Sequence, residues 1–165
     1  AGKAIGIIGM GNIGSKVAKI AEAFGMNVCY FSTSGTGHCK DYPCLSLEEL
    51  LKVSDIVSIH APLNERTNRL IGKEQLALMK PTAYLVNVGR GAIIVEEDLA
   101  EAVDNGIIAG AGIDVFVQEP IPEDHPYLKM QHPERMRLTP HIAWASIEAR
   151  RRLIDIMADN IRKGW

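Results

Sequence analysis

Cysteine, aromatic residues and long apolar runs are all scarce in this chain of 165 residues. The three cysteines, Cys29, Cys39 and Cys44, are too few and odd in number for a disulfide framework, so we expect reduced thiols and a cytoplasmic protein. Their spacing with His38 matches no zinc pattern, and no metal site is expected. No apolar run approaches the roughly 20 residues that a membrane-spanning helix needs.

An excess of charge of either sign is lacking as well. The formal net charge is −2, and 47% hydrophobic with 23% charged residues is the composition of an ordinary globular protein. Such a balance gives no electrostatic footprint for nucleic acid or for an anionic membrane. The short basic run Arg150–Arg152 is interpreted as the solvated face of a helix. We therefore expect neither nucleic acid nor a membrane as a partner.

Strand-like and helix-like segments alternate along the whole chain. Strands are predicted over residues 4–8, 28–31, 55–60, 83–88, 107–114 and 136–138, and helices over 13–24, 46–52, 73–79, 96–105 and 146–162. Several of the strands are almost continuously apolar, which is typical of a parallel sheet covered on both faces. The pattern predicts an α/β fold: a doubly wound, mostly parallel sheet of the Rossmann type in three αβα layers. Residues 120–133 form the longest irregular segment and are predicted to be a functional loop.

A glycine-rich turn follows the first predicted strand, in the run Gly9-Met10-Gly11-Asn12-Ile13-Gly14. Its first glycine permits a tight turn, its second lets the backbone approach a phosphate, and its third lets the helix pack on the strand. The free N–H groups of a helix N-terminus then attract the pyrophosphate of a dinucleotide. Apolar residues recur at helical spacing behind the glycines: Ile13, Val17, Ile20 and Phe24. Residues 1–165 are therefore predicted to be one dinucleotide-binding domain.

The end of the second predicted strand lacks an acidic residue. An acid there would accept a hydrogen bond from the 2′-hydroxyl of the adenosine ribose, but this chain has Ser32, Thr33 and Ser34. Without the carboxylate a 2′-phosphate is not repelled, and the three hydroxyls could bind it. No arginine is near in the sequence, and only His38 and Lys40 offer positive charge. The cofactor is predicted to be NAD or NADP, with NADP slightly favoured.

Three ionisable side chains follow the later strands: Arg90, Glu119 and His141. Each alone has a simpler interpretation, a surface charge or a structural histidine. Together, at the edge that binds the cofactor, they supply an anchor for a carboxylate, an acid/base and a carboxylate that orients it. Hydride transfer to a 2-oxo acid needs these parts, because a proton must reach the oxygen as its negative charge develops.

At this point the chain resembles the cofactor-binding domain of the D-isomer-specific 2-hydroxyacid dehydrogenase family. The matching pieces are the glycine turn, His60-Ala-Pro-Leu63 with Thr67, Lys80-Pro81, Asn87–Gly91, Gly112–Pro120 and Thr139–Ser146. The resemblance implies that Arg90 binds the substrate carboxylate and carbonyl, that His141 is the general acid/base and that Glu119 supports it. It also implies that Asp114 contacts the nicotinamide carboxamide. The other residues it places near the cofactor or active site are His60, Ala61, Pro62, Thr67, Val88, Gly89, Ala143 and Trp144.

The same resemblance implies a separate substrate-binding domain that this chain does not contain. We therefore expect the chain to bind dinucleotide with little turnover of a small 2-oxo acid such as hydroxypyruvate or glyoxylate, and to pair as a homodimer through this domain. Two alternatives remain: a dinucleotide-sensing module like the C-terminal-binding-protein corepressors, and a phosphite- or formate-oxidising relative. Formate-oxidising relatives typically carry Gln where this chain has Glu119, which argues against that branch.

Overall fold

Six parallel strands form one sheet in the computed structural model, which describes residues 1–164. The strands are β1 (Ala4–Ile8), β2 (Asn27–Phe31), β3 (Ile56–Ile59), β4 (Tyr84–Asn87), β5 (Gly110–Ile113) and β6 (Met136–Leu138). Their order is β2-β1-β3-β4-β5-β6, and each neighbouring pair is parallel. The chain order reverses direction between β1 and β3. Ligands bind outside the carboxyl ends of the strands at such a switch point.

Helices connect the strands and cover both faces of the sheet. They are α1 (Asn12–Ala23), α2 (Leu47–Val53), α3 (Lys73–Ala77), α4 (Glu96–Asp104) and α5 (Ile147–Arg162). Neighbouring residues of β1 point into different buried clusters, Ile7 beneath α1 and Ile8 on the opposite face. The Rossmann-type, three-layer α/β fold predicted from the sequence is therefore confirmed.

The segment between β5 and β6 carries less irregular structure than predicted. Short 3₁₀ turns at Pro126–Leu128 and Pro133–Arg135 interrupt the predicted loop, and Tyr127 is buried. Helix α2 begins with a capping box, in which the N-cap Ser46 and Glu49 exchange hydrogen bonds. Strands β1 and β6 have the predicted bounds and β2 begins one residue earlier, whereas β3, β4 and β5 are shorter than predicted because backbone pairing ends before the apolar pattern does.

Helix α1 packs on the sheet through small residues rather than through its apolar stripe. Gly14, Ala18 and Ala21 are buried, whereas Ile13 is 64% and Phe24 is 73% exposed. The apolar spacing correctly predicts a helix, but it marks the outer face. The helix lies too close to the first strand for large side chains, since a Cβ at Gly14 would overlap the carbonyl oxygen of Gly9.

Within residues 1–164, none of the helices has the length and apolar character required to cross a bilayer. The same residues contain no cluster of three or more histidine, cysteine or acidic side chains arranged to hold a metal ion. The three cysteines carry free thiols.

The contact at Gly14 predicts a specific loss of stability. Replacing Gly14 with alanine forces the helix away from Gly9, and overpacking of this kind costs about 1–3 kcal/mol. Gly112→Ala is a matched control, because its new methyl group would be 4.0 Å from Val86. Thermal unfolding followed by circular dichroism should show Gly14→Ala melting several degrees lower, at about 2–4 °C per kcal/mol. Equal melting temperatures for the two variants would contradict the tight packing.

Candidate active site

The glycine turn forms a groove beside the N-terminus of α1. Gly9 has φ +94°, and a Cβ there would approach the backbone nitrogen of Ala61 to 2.8 Å, so the turn lies directly against the chain leaving β3. Gly11 is different, because a Cβ there would meet nothing within 4 Å. No side chain caps α1, which begins after Gly11. Open space beside uncapped N–H groups fits a pyrophosphate, so these residues could hold a dinucleotide.

The loop after β3 is held by its own polar contacts. Thr67 has no exposed surface, and its hydroxyl donates to the carbonyl oxygen of Pro62 at 2.6 Å. The Thr67 side chain therefore holds the loop together, and its predicted position beside the cofactor stays a prediction. The His60 ring makes a 2.9 Å hydrogen bond with the Ser58 hydroxyl, and burial lowers the pKa of His60. His60 is thus neutral at pH 7.

In the turn after β2, some of the side-chain hydroxyls form hydrogen bonds within the turn itself. Ser32 is 7% exposed and donates to the carbonyl oxygen of Thr36 at 2.6 Å. The Ser32 hydroxyl proton is therefore used inside the turn, and the predicted contact of Ser32 with the cofactor stays a prediction. The expectation that no arginine is near is also wrong, because Arg66 donates from Nη1 to the carbonyl oxygen of Ser34 at 3.0 Å. Thirty-two residues separate these partners in sequence, so local sequence could not reveal the contact.

Arg90 is presented by a turn that a buried asparagine shapes. The Asn87 side chain accepts from the N–H of Gly89 and donates to the carbonyl oxygen of Arg90, both at 3.0 Å. Arg90 is exposed, and one of its N–H groups donates to the carbonyl oxygen of Gly89. It forms no salt bridge within residues 1–164. The guanidinium therefore has donors available for an anionic ligand.

Asp114 joins the end of β5 to the segment after β6. Its carboxylate accepts from the Thr139 hydroxyl at 2.5 Å and from the N–H groups of Ile142 and Ala143 at 2.9 Å each. Burial alone would raise the pKa of Asp114, but these hydrogen bonds outweigh it and hold the pKa below its ordinary value. A carboxylate has about four acceptor positions, so one stays available for the predicted nicotinamide contact.

The side chains of His141 and Glu119 are in contact, as the predicted support of His141 by Glu119 requires. His141 Nδ1 is 2.7 Å from Glu119 Oε2, and the other carboxylate oxygen accepts from the N–H of Phe116 at 2.9 Å. The hydrogen bond from Phe116 N–H makes the largest contribution to lowering the pKa of Glu119, and the hydrogen bond with His141 makes the next largest. His141 Nε2 makes no hydrogen bond within the described residues. The pair thus presents one free ring nitrogen, backed by an ionised carboxylate.

The backbone at His141 is constrained. Its φ of +54° is uncommon for a residue that carries a Cβ, and it persists because the His141 N–H donates to the carbonyl oxygen of Asp114. Trp144 is half exposed and donates from its indole N–H to the carbonyl oxygen of His141 at 2.9 Å. A cavity of about 560 Å³ adjoins the pair and is lined by Phe116, Glu119, Pro120, Ile121, Leu138, Thr139, Pro140 and His141.

A second acid and histidine support this region, and the sequence analysis missed both. Glu96, at the start of α4, accepts from the N–H of Val117 at 3.0 Å, and its other oxygen lies 3.2 Å from His125 Nε2. Both side chains are buried. They tie α4 to the loop that carries Glu119. An acid in the first turn of a helix is usually read as a surface charge, so only the fold reveals this contact.

The remaining predicted cofactor residues differ in how much surface they offer. Asn12, Ile13, Ser34, Pro62 and Ala143 are exposed, Thr33 and Val88 are half-buried, and Ala61 and Gly89 are buried. The buried two can contribute backbone but little side chain. All of them lie at or beyond the carboxyl ends of the strands.

The known proteins that this chain resembles belong to one class of oxidoreductases. The family model for the D-isomer specific 2-hydroxyacid dehydrogenase NAD binding domain matches residues 1–143. A glyoxylate reductase from Korarchaeum cryptofilum is 45% identical over 97% of this chain and 48% of its own length. A hydroxypyruvate reductase from Blautia hydrogenotrophica is 40% identical over 98% and 50%. The solved structure of an NADPH-dependent glyoxylate/hydroxypyruvate reductase from Sinorhizobium meliloti superposes with a TM-score of 0.87 at 32% identity, over 98% and 50%.

The fold and the glycine groove define a dinucleotide-binding domain of the dehydrogenase class. The chain belongs to the D-isomer-specific 2-hydroxyacid dehydrogenase family, in which it corresponds to the NAD-binding domain. It spans about half the length of the curated relatives it matches.

The environment of Asp114 predicts a pH-dependent stability. Because its folded pKa is lowered, Asp114 stabilises the fold above the unfolded carboxyl pKa of about 4, and this contribution is lost as the pH falls toward the folded pKa. Asp114→Asn should cost about 1–3 kcal/mol near neutral pH and flatten the acid limb of a melting-temperature profile. Asp124→Asn, at an exposed site, is the control. An unchanged acid limb in Asp114→Asn would refute this assignment.

Proposed function

We propose that this chain is the cofactor domain of a reductase that transfers a hydride between NADPH or NADH and a small 2-oxo acid of the glyoxylate or hydroxypyruvate kind. The product would be the corresponding 2-hydroxy acid, in its D form wherever carbon 2 becomes a stereocentre. The observation that carries the proposal is the 2.7 Å contact between Glu119 and His141, at the sheet edge that also holds the glycine groove. The names of the relatives support the substrate class.

Each ionisable residue has a role in this proposal. Arg90 holds the substrate carboxylate through the donors that its turn leaves free. The dihydronicotinamide, when bound, supplies the hydride that forms the new C–H bond. His141, when protonated, would donate its Nε2 proton to the 2-oxo oxygen of the substrate as the carbonyl π bond breaks. Glu119 accepts from Nδ1, fixes the ring orientation and stabilises the imidazolium before transfer.

The curated relatives are about twice as long as the region that this chain matches, and the rest of their length is relevant to the rate of turnover. Closure of a second domain over a site expels water and completes substrate positioning. We therefore infer that this chain alone binds dinucleotide but turns over slowly. Pairing as a homodimer through this domain is part of the proposal. Two exposed apolar side chains, Ile20 on α1 and Phe24 immediately after it, support a contact there.

The glycine groove predicts how a small substitution should affect dinucleotide binding. Gly11→Ala adds a methyl group where nothing in the protein opposes it, so its melting temperature should fall only by what alanine costs at a helix N-cap, about 1 kcal/mol or a few degrees. The methyl group would occupy the space of the pyrophosphate, and isothermal titration should show NADH and NADPH bound at least tenfold more weakly than by the unmodified chain. Gly112→Ala is the control. If Gly11→Ala and Gly112→Ala bound NADH and NADPH with equal affinity, the glycine groove would not be the site that binds the pyrophosphate.

The proton donor can be tested even if turnover is slow. With this chain in excess over NADPH, reduction of glyoxylate or hydroxypyruvate can be followed in a single turnover. Loss of a general acid lowers the rate about 10²–10⁴-fold. The single-turnover rate of His141→Asn should therefore fall by about that factor, while the variant still binds dinucleotide. Glu119→Gln should slow it less, because the ring keeps a partner. A His141→Asn rate equal to that of the unmodified chain would refute the assigned role.

A further inference from the structure

Arg66 is a cation of the β2 turn, although it comes from the loop after β3. Its Nη1 donates to the carbonyl oxygen of Ser34 at 3.0 Å, and a Cβ at Gly35 would lie 3.2 Å from the same nitrogen. Arg66 forms no salt bridge within residues 1–164. One of its five N–H donors is used by Ser34, which leaves the others for a ligand.

A cavity of about 260 Å³ opens between this guanidinium and the strand end. Phe31, Ser32, Thr33, Gly35, Gly37, Cys44, Leu45 and Arg66 line it. No carboxylate is among these residues, so nothing lining the cavity repels an anion. Thr33 adds a half-buried hydroxyl that makes no hydrogen bond within the described residues.

We propose that Arg66 is the residue that binds the 2′-phosphate of NADP(H) and sets the preference of this domain for that cofactor. The inference rests on the proposed dinucleotide function, because the end of β2 is where such a fold places the adenosine ribose. A planar guanidinium grips a phosphate dianion through two donors, which a hydroxyl alone cannot do. Arg66 thus supplies the positive charge missing from the β2 turn itself.

The other charged residues near the turn are less suited to this role. His38 donates from Nε2 to the carbonyl oxygen of Met10 at 2.8 Å, which ties its ring to the glycine turn. Lys40 is exposed and does not line the cavity. Glu65 lies beside Arg66 in a neighbouring surface groove and would weaken phosphate binding in part, so it gives a second means of testing the charge balance.

Titration calorimetry with NADPH, NADH, 2′,5′-ADP and 5′-AMP tests the proposal on this chain. Arg66→Gln should weaken NADPH and 2′,5′-ADP at least tenfold while NADH and 5′-AMP change less than twofold. Arg69→Gln, an exposed arginine of the same loop that does not line the cavity, is the matched control and should bind all four ligands as before. Glu65→Gln should strengthen NADPH and leave NADH unchanged.

The outcomes separate this inference from the proposed function. If Arg66→Gln weakened NADPH and NADH equally, Arg66 would only hold the turn, and the inference would fail while dinucleotide binding stood. Equal NADPH affinity in Arg66→Gln and the unmodified chain would also overturn it. No binding of any of the four ligands by the unmodified chain would overturn the dinucleotide function as well. Should Arg66→Gln unfold, Arg66→Lys keeps the charge without the planar fork, and a selective loss of NADPH affinity is again the supporting result.

Discussion

The buried carboxylate of Asp114 is the interaction on which the geometry of the site depends. An ionised group in this position is stable only because three donors, from Thr139, Ile142 and Ala143, satisfy it. The donors all belong to the segment that follows β6, so one side chain fixes where that segment lies. The positive φ of His141 is held within this network, and the ring is thereby aimed at Glu119. Removing the Asp114 carboxylate would therefore loosen the segment that carries His141 and leave the sheet itself intact.

Parallel strand order explains why residues so distant in sequence meet. Every strand of the sheet runs in the same direction, so the turns after β1, β4, β5 and β6 open at one edge. Three of the connections at this edge are each shaped by a buried polar side chain that bonds to the protein's own backbone. Asn87 does this for Arg90, Thr67 for the loop after β3, and Glu96 for the loop that carries Glu119. The exposed groups are therefore positioned by buried ones.

The sequence was sufficient to predict the elements, the glycine groove and the grouping of Arg90, Glu119 and His141 at one edge, because these follow from periodicity and from parallel topology. It was insufficient wherever the outcome depends on side-chain direction or on two loops meeting. Ser32 reads as a free hydroxyl until its contact with Thr36 is known. Arg66 reads as an ordinary surface charge, since nothing local places it at Ser34. Helix α1 has an apolar stripe, and periodicity alone would predict that this stripe faces the sheet. The small residues face the sheet instead, because the helix packs too closely for large side chains.

The turn proposed to select the cofactor and the histidine proposed to donate the proton lie at opposite ends of the strand edge. The turn after β2 and the segment after β6 are separated by five strand spacings, each about 4.8 Å, or roughly 24 Å in all. Between exposed charges this exceeds the Debye length of about 8 Å at physiological ionic strength. A charge at Arg66 therefore has little direct influence on the protonation of His141. Because the two ends are electrostatically independent, the proposed role of Arg66 implies that the preference between NADP and NAD would change at its loop without altering the network that Asp114 holds in place.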